Sequence, residues 1–329
     1  MNITVLGAGA WGTALAICLS ARHHVTLWTR NTEHLAELVA LRTNRRYLPG
    51  QSLPDSIRLV AELSEALEQA ELVIVVVPIA GLRTTLQQMA ALHPSLPFVL
   101  ACKGFETDSA KLPCQVVEEV YQAGITCGVL SGPSFAGEVA KGLPAALTIA
   151  SYDDIFARSV AVEIRTASLR VYSGSDVIGV EVGGALKNVI AIAAGISDGI
   201  AFGNNARAAL ITRGLAEITR LGMALGGRRE TFTGLTGIGD LILTCTGSLS
   251  RNRQVGMMFA AGRQLAEILP EIGHVTEGVY TVREAHRLGQ RLQIDMPVTQ
   301  AVYSILYEQV PVEMAIRDML DREPGDETS

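Results

Sequence analysis

The sequence predicts an α/β protein, a mostly parallel sheet domain over residues 1–178 followed by an all-α domain over residues 179–329. Three observations carry this. Apolar strand-like runs alternate with helical stretches through the first half, as in a parallel sheet with helices on both faces. Strand-like runs stop at about residue 177, and helical segments separated by Gly-rich joints follow. The first strand runs straight into Gly7-Ala8-Gly9-Ala10-Trp11-Gly12, a G-x-G-x-x-G at a strand-to-helix turn.

In chain order, strands are expected at 2–6, 24–28, 72–77, 97–102, 126–131, 145–150 and 168–172. Helices are expected at 11–21, 32–41, 62–69, 79–92, 109–122 and 153–164. Leu72 to Val77 is continuously apolar, which suits a central strand buried on both faces, and Pro78 ends it. The second half reads as helices at 179–196, 205–225, 234–245, 251–261, 264–268, 276–288, 296–307 and 311–318. The tail, Asp321 to Ser329, is polar and reads as a frayed end.

The glycine fingerprint makes the first half a Rossmann-type dinucleotide site. Gly7 permits the tight turn, Gly9 lets a pyrophosphate approach the backbone, and Gly12 lets helix and strand pack closely. The helix N-terminus then offers free N–H groups to the phosphates. In NAD-binding folds a carboxylate about 20 residues on holds the ribose 2′-hydroxyl. Here the second strand ends in Leu27-Trp28-Thr29-Arg30-Asn31. Arg30 is a cation suited to a 2′-phosphate, so NADP is the expected cofactor. The alternative is that Arg30 is a solvated loop residue and NAD is used as well.

Composition narrows the partners. The chain of 329 residues carries a net charge of −6, so it offers no general basic field for nucleic acid. No N-terminal targeting segment is read, because the apolar start is the first strand. The longest apolar run is taken as Leu72 to Ala80, too short to span a bilayer. Five cysteines (Cys18, Cys102, Cys114, Cys127, Cys245), with no C-x-x-C, suit reduced thiols in the cytoplasm. Only four of the 27 basic residues are Lys: Lys103, Lys111, Lys141 and Lys187. Where Arg is the routine surface cation, a Lys in an apolar setting needs its own reason, since only Lys changes protonation near neutral pH.

Four segments carry chemistry. Ala101-Cys102-Lys103-Gly104 ends a parallel strand, where ligands gather. Ser131-Gly132-Pro133-Ser134-Phe135-Ala136 lets backbone and hydroxyl approach a ligand. Gly183-Gly184-Ala185-Leu186-Lys187-Asn188 places a lysine in an apolar helix, with Gly183, Ala191 and Ala194 leaving room beside it. Burial there brings the amine towards neutrality, and a nearby Asp240 opposes this. Lys187 is either a general acid/base or a lysine that reaches solvent or pairs with a carboxylate. The fourth segment pairs Gly237-Ile238-Gly239-Asp240 with Ser248-Leu249-Ser250-Arg251-Asn252. Ser250 reads as a helix cap and Arg251 as a fork of donors, giving either a phosphate site or plain capping. Asn44 to Gly50 is either a loop that closes on the cofactor or a solvated turn.

With these motifs in this order, the chain resembles bacterial-type NAD(P)-dependent glycerol-3-phosphate dehydrogenases over nearly its full length. The likeness runs from GAGAWGTALA through CKG, SGPSFAGEV and GGALKNVIAIAAGISDG to LTGIGDLILTC and SRNRQVG. It implies a Rossmann domain followed by a helical substrate and dimerisation domain, the 6-phosphogluconate-dehydrogenase-like arrangement. It further implies reversible reduction of dihydroxyacetone phosphate to sn-glycerol 3-phosphate, a supply of glycerophospholipid precursor, and a homodimer. By the same resemblance Lys187 is the general acid/base, and Lys103, Gly132, Ser134, Asp240, Ser250, Arg251 and Asn252 meet the substrate. Trp11, Arg30, Lys103, Ala136, Arg251, Val275 and Glu277 fall at the cofactor. Where relatives often carry a second basic residue after Arg30, this chain has Asn31.

Overall fold

Neighbouring residues of the central strands go to opposite cores. Ile3, Val5, Leu72 and Ile74 pack into one cluster, while Leu6, Val73 and Val75 pack into the other. That is the two-residue period of a strand buried on both faces. A computed structural model describes residues 1–122, 124–272 and 276–320 of the chain, with side chains to 318. Val275 and the expected frayed tail lie outside the described residues.

Eight strands form one sheet: β1 (Asn2–Leu6), β2 (His24–Trp28), β3 (Arg58–Val60), β4 (Leu72–Val75), β5 (Phe98–Leu100), β6 (Cys127–Ser131), β7 (Ala145–Ala150) and β8 (Leu169–Gly174). Their order is β3-β2-β1-β4-β5-β6-β7-β8. β1 pairs in parallel with β2 at Ile3↔Val25 and with β4 at Ile3↔Leu72. The chain reverses its direction of winding between β1 and β4, and the crevice outside such a switch point is where this fold binds ligands. β6 and β7 pair antiparallel, and β7 and β8 pair in parallel, so the sheet is mostly parallel as expected.

The structure corrects several expectations. β3 was not predicted; three residues at a sheet edge are too few to show a period. The one-turn helices Ala136–Ala140 and Arg229–Phe232 were also missed. The helix expected at 109–122 begins only at Pro113, because Asp108 and Ala110 both take positive φ. The helix expected at 234–245 is two pieces, a π-turn over Leu235–Gly239 and an α-helix over Asp240–Thr246. A Cβ on Gly237 would lie 2.0 Å from the Phe232 carbonyl oxygen, so only glycine allows this crossing.

The second half packs around the helix Val177–Gly199, in which twenty residues from Val177 to Ser197 are buried. By length and hydropathy alone this helix could cross a membrane, yet 94% of that window is buried inside the fold. It is a core helix. Helix Arg251–Ala260 crosses it closely. A Cβ on Gly195 would sit 2.0 Å from the Arg253 carbonyl oxygen, and one on Gly256 would sit 2.0 Å from that of Ile192. Small residues on both helices therefore set the position of everything at the start of Arg251–Ala260.

Candidate active site

The glycine turn at the end of β1 has the shape the fingerprint needs. Gly7 has φ +119°, and a Cβ there would lie 2.9 Å from the Val76 carbonyl oxygen just beyond β4. A Cβ on Gly12 would lie 1.9 Å from the Gly7 carbonyl oxygen. Around Gly9 no atom stands within 4 Å of such a Cβ. The fold thus demands glycine at Gly7 and Gly12, while Gly9 leaves open space in front of the turn. Helix Ala10–Leu19 starts there with no side-chain cap, so its first N–H groups remain available to an anion. These residues fit a dinucleotide pyrophosphate. Trp11 is half-buried beside the turn, packed against apolar residues on both of its sides.

Asn44 ties the turn down. Its buried side-chain amide donates to the Ala8 carbonyl oxygen at 2.9 Å and to Thr13 Oγ1 at 2.8 Å. Its Oδ1 accepts from the Tyr47 N–H at 3.1 Å. The segment Asn44 to Gly50 is therefore anchored at buried Asn44 and Leu48, with Arg45 and Arg46 exposed. Arg30 is exposed at the end of β2. Asn31 is the cap of helix Thr32–Leu41 and accepts from the His34 N–H at 2.9 Å. The residue that stands in place of a second cation thus has a structural task.

On the C-terminal side of the sheet, two lysines converge on one carboxylate. Lys103, just beyond β5, donates to Asp240 Oδ2 at 2.8 Å, and Lys187 donates to Asp240 Oδ1 at 2.5 Å. Lys187 also donates to Thr244 Oγ1 at 3.1 Å. Thr244 follows Asp240 by one helical turn and donates to its carbonyl oxygen at 2.6 Å. Asp240 is 1% exposed and Lys187 7%, so the three charges sit in a medium of low polarity. Burial lowers the Lys187 amine to about 8, with Lys103 adding to this and Asp240 opposing it. For Asp240, burial works to raise the carboxyl, but the two ammonium groups outweigh it and the result lies below the ordinary value.

Both halves of the Lys187 reading meet here: it pairs with a carboxylate, and its amine is brought towards neutrality. The room expected beside it needs correcting. At Gly183 the space is filled by the chain, since a Cβ there would lie 2.5 Å from the Thr236 carbonyl oxygen. Gly183 admits the π-turn, and the π-turn delivers Asp240.

Gly132 follows β6 with φ +135°, and a Cβ there would lie 3.0 Å from the Ala146 carbonyl oxygen. Ser134 Oγ donates to the Gly132 carbonyl oxygen at 3.0 Å. Pro133 packs near Gly239, so this loop abuts the turn that carries Asp240. Ala136 starts the short helix that packs on Ala10–Leu19. Ser131 Oγ is buried with no partner among the described residues, close over Gly184 and beside the Lys103 stem.

Ser250 caps helix Arg251–Ala260 by accepting from the Arg253 N–H at 3.3 Å, as the sequence suggested. Arg251 is exposed and makes no hydrogen bond or ion pair among the described residues. Arg253, by contrast, is used within the fold, pairing with Asp198 at 2.7 Å. Asn252 Nδ2 donates to Asn188 Oδ1 at 2.9 Å, one residue from Lys187. This pairing uses the Asn188 Oδ1. Glu277 opens helix Glu277–Leu292, and burial pushes its carboxyl up to about 7 against the pull of Arg251, Lys103 and Lys187. Lys103, Lys187, Asp240, Arg251 and Glu277 therefore share one electrostatic neighbourhood.

Two residues were missed from sequence. Thr244 had a signal, its four-residue spacing from Asp240. Asn44 had none, because partners such as the Ala8 carbonyl oxygen and Thr13 Oγ1 are brought near it only by folding.

Fold and site together define a two-domain, dinucleotide-dependent dehydrogenase. The comparisons narrow the class. The family model described as NAD-dependent glycerol-3-phosphate dehydrogenase N-terminus matches residues 2–157, and its C-terminus counterpart matches 176–317. A protein of Nitrosomonas europaea called glycerol-3-phosphate dehydrogenase [NAD(P)+] is 89% identical over 328 residues, covering 100% of each chain. The crystal structure of glycerol-3-phosphate dehydrogenase from Coxiella burnetii superposes with a TM-score of 0.94 at 39% identity, over 98% of this chain and 99% of that one. A ketopantoate reductase-family structure from Ralstonia eutropha JMP134, 15% identical with a TM-score of 0.58, covers 97% of this chain and 100% of its own and shares the fold alone. The chain belongs to the NAD-dependent glycerol-3-phosphate dehydrogenase family.

Proposed function

We propose that the chain catalyses reversible reduction of dihydroxyacetone phosphate to sn-glycerol 3-phosphate, with NADPH and also NADH as reductant, supplying glycerophospholipid synthesis. One observation carries the reading: buried Lys187, paired with Asp240, lies in one neighbourhood with the unpaired Arg251 at a helix start. A phosphate needs the latter and a carbonyl being reduced needs the former.

Gly7, Gly9, Trp11, Gly12, Arg30, Lys103, Ala136, Arg251 and Glu277 would hold the dinucleotide, with Arg30 favouring a 2′-phosphate. When bound, the nicotinamide supplies the hydride to the substrate C2. Every other task falls to the chain. Ser250, Arg251 and Asn252 grip the substrate phosphate at the start of their helix, and Gly132 and Ser134 border the carbon chain. Lys187 donates a proton to the C2 oxygen, and Lys103 stabilises negative charge as it develops there. Asp240 holds both lysines in place and keeps their combined charge tolerable in a buried site. In the reverse direction, neutral Lys187 accepts the proton.

On this reading residues 1–178 bind the dinucleotide and residues 179–329 carry substrate binding and dimer contacts. The resemblance supports a cytoplasmic homodimer, which sedimentation of the purified chain checks; a monomer at micromolar concentration overturns it. The function itself is tested by absorbance at 340 nm with NADPH and dihydroxyacetone phosphate. Steady oxidation is expected, with little or none when unphosphorylated dihydroxyacetone replaces the phosphate ester. Equal turnover of both ketones removes the phosphate assignment.

A further inference from the structure

A cavity of about 300 Å³ lies away from the lysine cluster, between β5, β6, helix Pro113–Val120 and the first turns of Val177–Gly199. Its size is at the lower end for small-molecule sites, roughly 300–1,000 Å³. Its walls are mostly apolar, among them Leu100, Val117, Ile125 and Val177. Among the described residues, the charged groups in its lining are Glu118 and Glu181, and no Lys, Arg or His lines it.

Glu181 is the unusual member. It is 5% exposed, and both its carboxylate oxygens accept from one neutral donor, the Cys114 backbone N–H, at 2.9 and 3.2 Å. A buried carboxylate is ordinarily paired with a cation. Among the described residues none is supplied: the groups that act on Glu181 are Cys114 and Glu118. Tyr121, another wall residue, is 7% exposed, and its hydroxyl is buried with no partner among the described residues. Tyr152, 65% exposed, and the exposed Glu118 stand where the cavity meets solvent. An acidic group at depth, a second at the rim, two aromatic rings and an unsatisfied hydroxyl together suit an ammonium on an apolar body.

We propose that this cavity is a second binding site, taking a small organic cation whose ammonium pairs with Glu181 and whose apolar part lies between the tyrosines. Glu181 precedes Lys187 by six residues on the same helix, about 9 Å along its axis. The site is thus separate from the lysine cluster but built on the same helix.

The pH dependence follows from the surroundings of Glu181. Burial pushes its carboxyl up to about 8, with the Cys114 thiol and then the Cys114 N–H lowering it and Glu118 raising it. The titratable groups that interact with it or line the cavity around it are Cys102, Cys114, Glu118, Cys127, Tyr121 and Tyr152, all neutral or acidic. Near neutral pH the Glu181 carboxyl is mostly protonated, and a bound cation favours its ionised form. Affinity for a cation therefore rises as pH approaches and passes 8.

The test is calorimetric titration of the full chain with 2-phenylethylammonium and with 2-phenylethanol, its neutral counterpart. Saturable binding is expected, with the ammonium about tenfold tighter than the alcohol at high pH and its own affinity rising roughly tenfold between about pH 6.5 and about pH 8.5. Glu181→Gln keeps the size and the acceptor for Cys114 and is expected to bind both probes alike. If that variant does not fold, Glu118→Gln at the exposed rim is expected to weaken the ammonium about threefold and leave the alcohol unchanged. No saturable binding, equal binding of the two probes by the unmodified chain, or a charge preference that survives in each variant that folds overturns the proposal.

Discussion

At Lys187 two opposed effects meet, and their balance sets the chemistry. Burial lowers the amine to about 8, and the Asp240 carboxylate keeps it from falling further. In the proposed mechanism reduction needs the protonated amine and oxidation the neutral one. The kcat/KM for dihydroxyacetone phosphate is therefore expected to fall as pH rises through about 8, while that for glycerol 3-phosphate rises through the same window. Matched pH profiles in the two directions check this, and parallel profiles refute the role. Lys187→Ala is expected to lower kcat by about 10²–10⁴ while leaving NADPH binding near normal. Arg251, unpaired among the described residues, is expected to act on binding: Arg251→Ala should raise the KM for the phosphorylated ketone about tenfold or more, the worth of a charged hydrogen bond. An unchanged KM removes it from the phosphate site. Lys187, Asp240, Ser250 and Arg251 were legible as residues of interest because each breaks the local pattern: a lysine among apolar residues, a carboxylate after glycines, a cap before an arginine. That Lys103 and Lys187 share one carboxylate was not legible, since 137 and 53 residues separate them from Asp240 in the chain.

Among the elements, the helix pair Val177–Gly199 and Arg251–Ala260 decides how far the proposed phosphate grip stands from the proposed acid/base. Glycines at the crossing let the two backbones touch, so an added methyl group has nowhere to go. Gly256→Ala is expected to destabilise the fold by about 1–3 kcal/mol through overpacking. Because it displaces the start of the helix that carries Ser250 and Arg251, it is also expected to raise the substrate KM more than it lowers kcat. Thermal melts with steady-state kinetics measure both, and a variant with native Tm and KM contradicts the account. Long, periodic elements such as Val177–Gly199 and Glu277–Leu292 were readable in place from their apolar spacing. The π-turn at Leu235–Gly239 was not, because its widened geometry is imposed by contacts of Gly237 with Phe232 and of Gly183 with Thr236.

Across the whole molecule, buried carboxyls couple stability to pH. Burial raises Glu181 to about 8 and Glu217 and Glu277 to about 7, from an ordinary value of 4.5. A carboxyl raised in the folded state favours folding most below its unfolded value, and that contribution is lost as pH rises through the folded value. Tm is expected to decline between about pH 5 and pH 8, and a flat or rising Tm across that window overturns the assignment. The sequence by itself determined the alternation of strands and helices, the switch to an all-helical second half and the glycine turn after β1, and it pointed to most of the residues proposed for the site. Each of these is written in local spacing, which a short window of residues can express. Only the tertiary structure decided that two lysines share Asp240, that Asn44 fastens the glycine turn, that Asn188 is held by Asn252, and that Glu181 is buried with no cation beside it among the described residues. Those are meetings of residues far apart in the chain, and nothing but the packing of one element on another brings them within bonding distance.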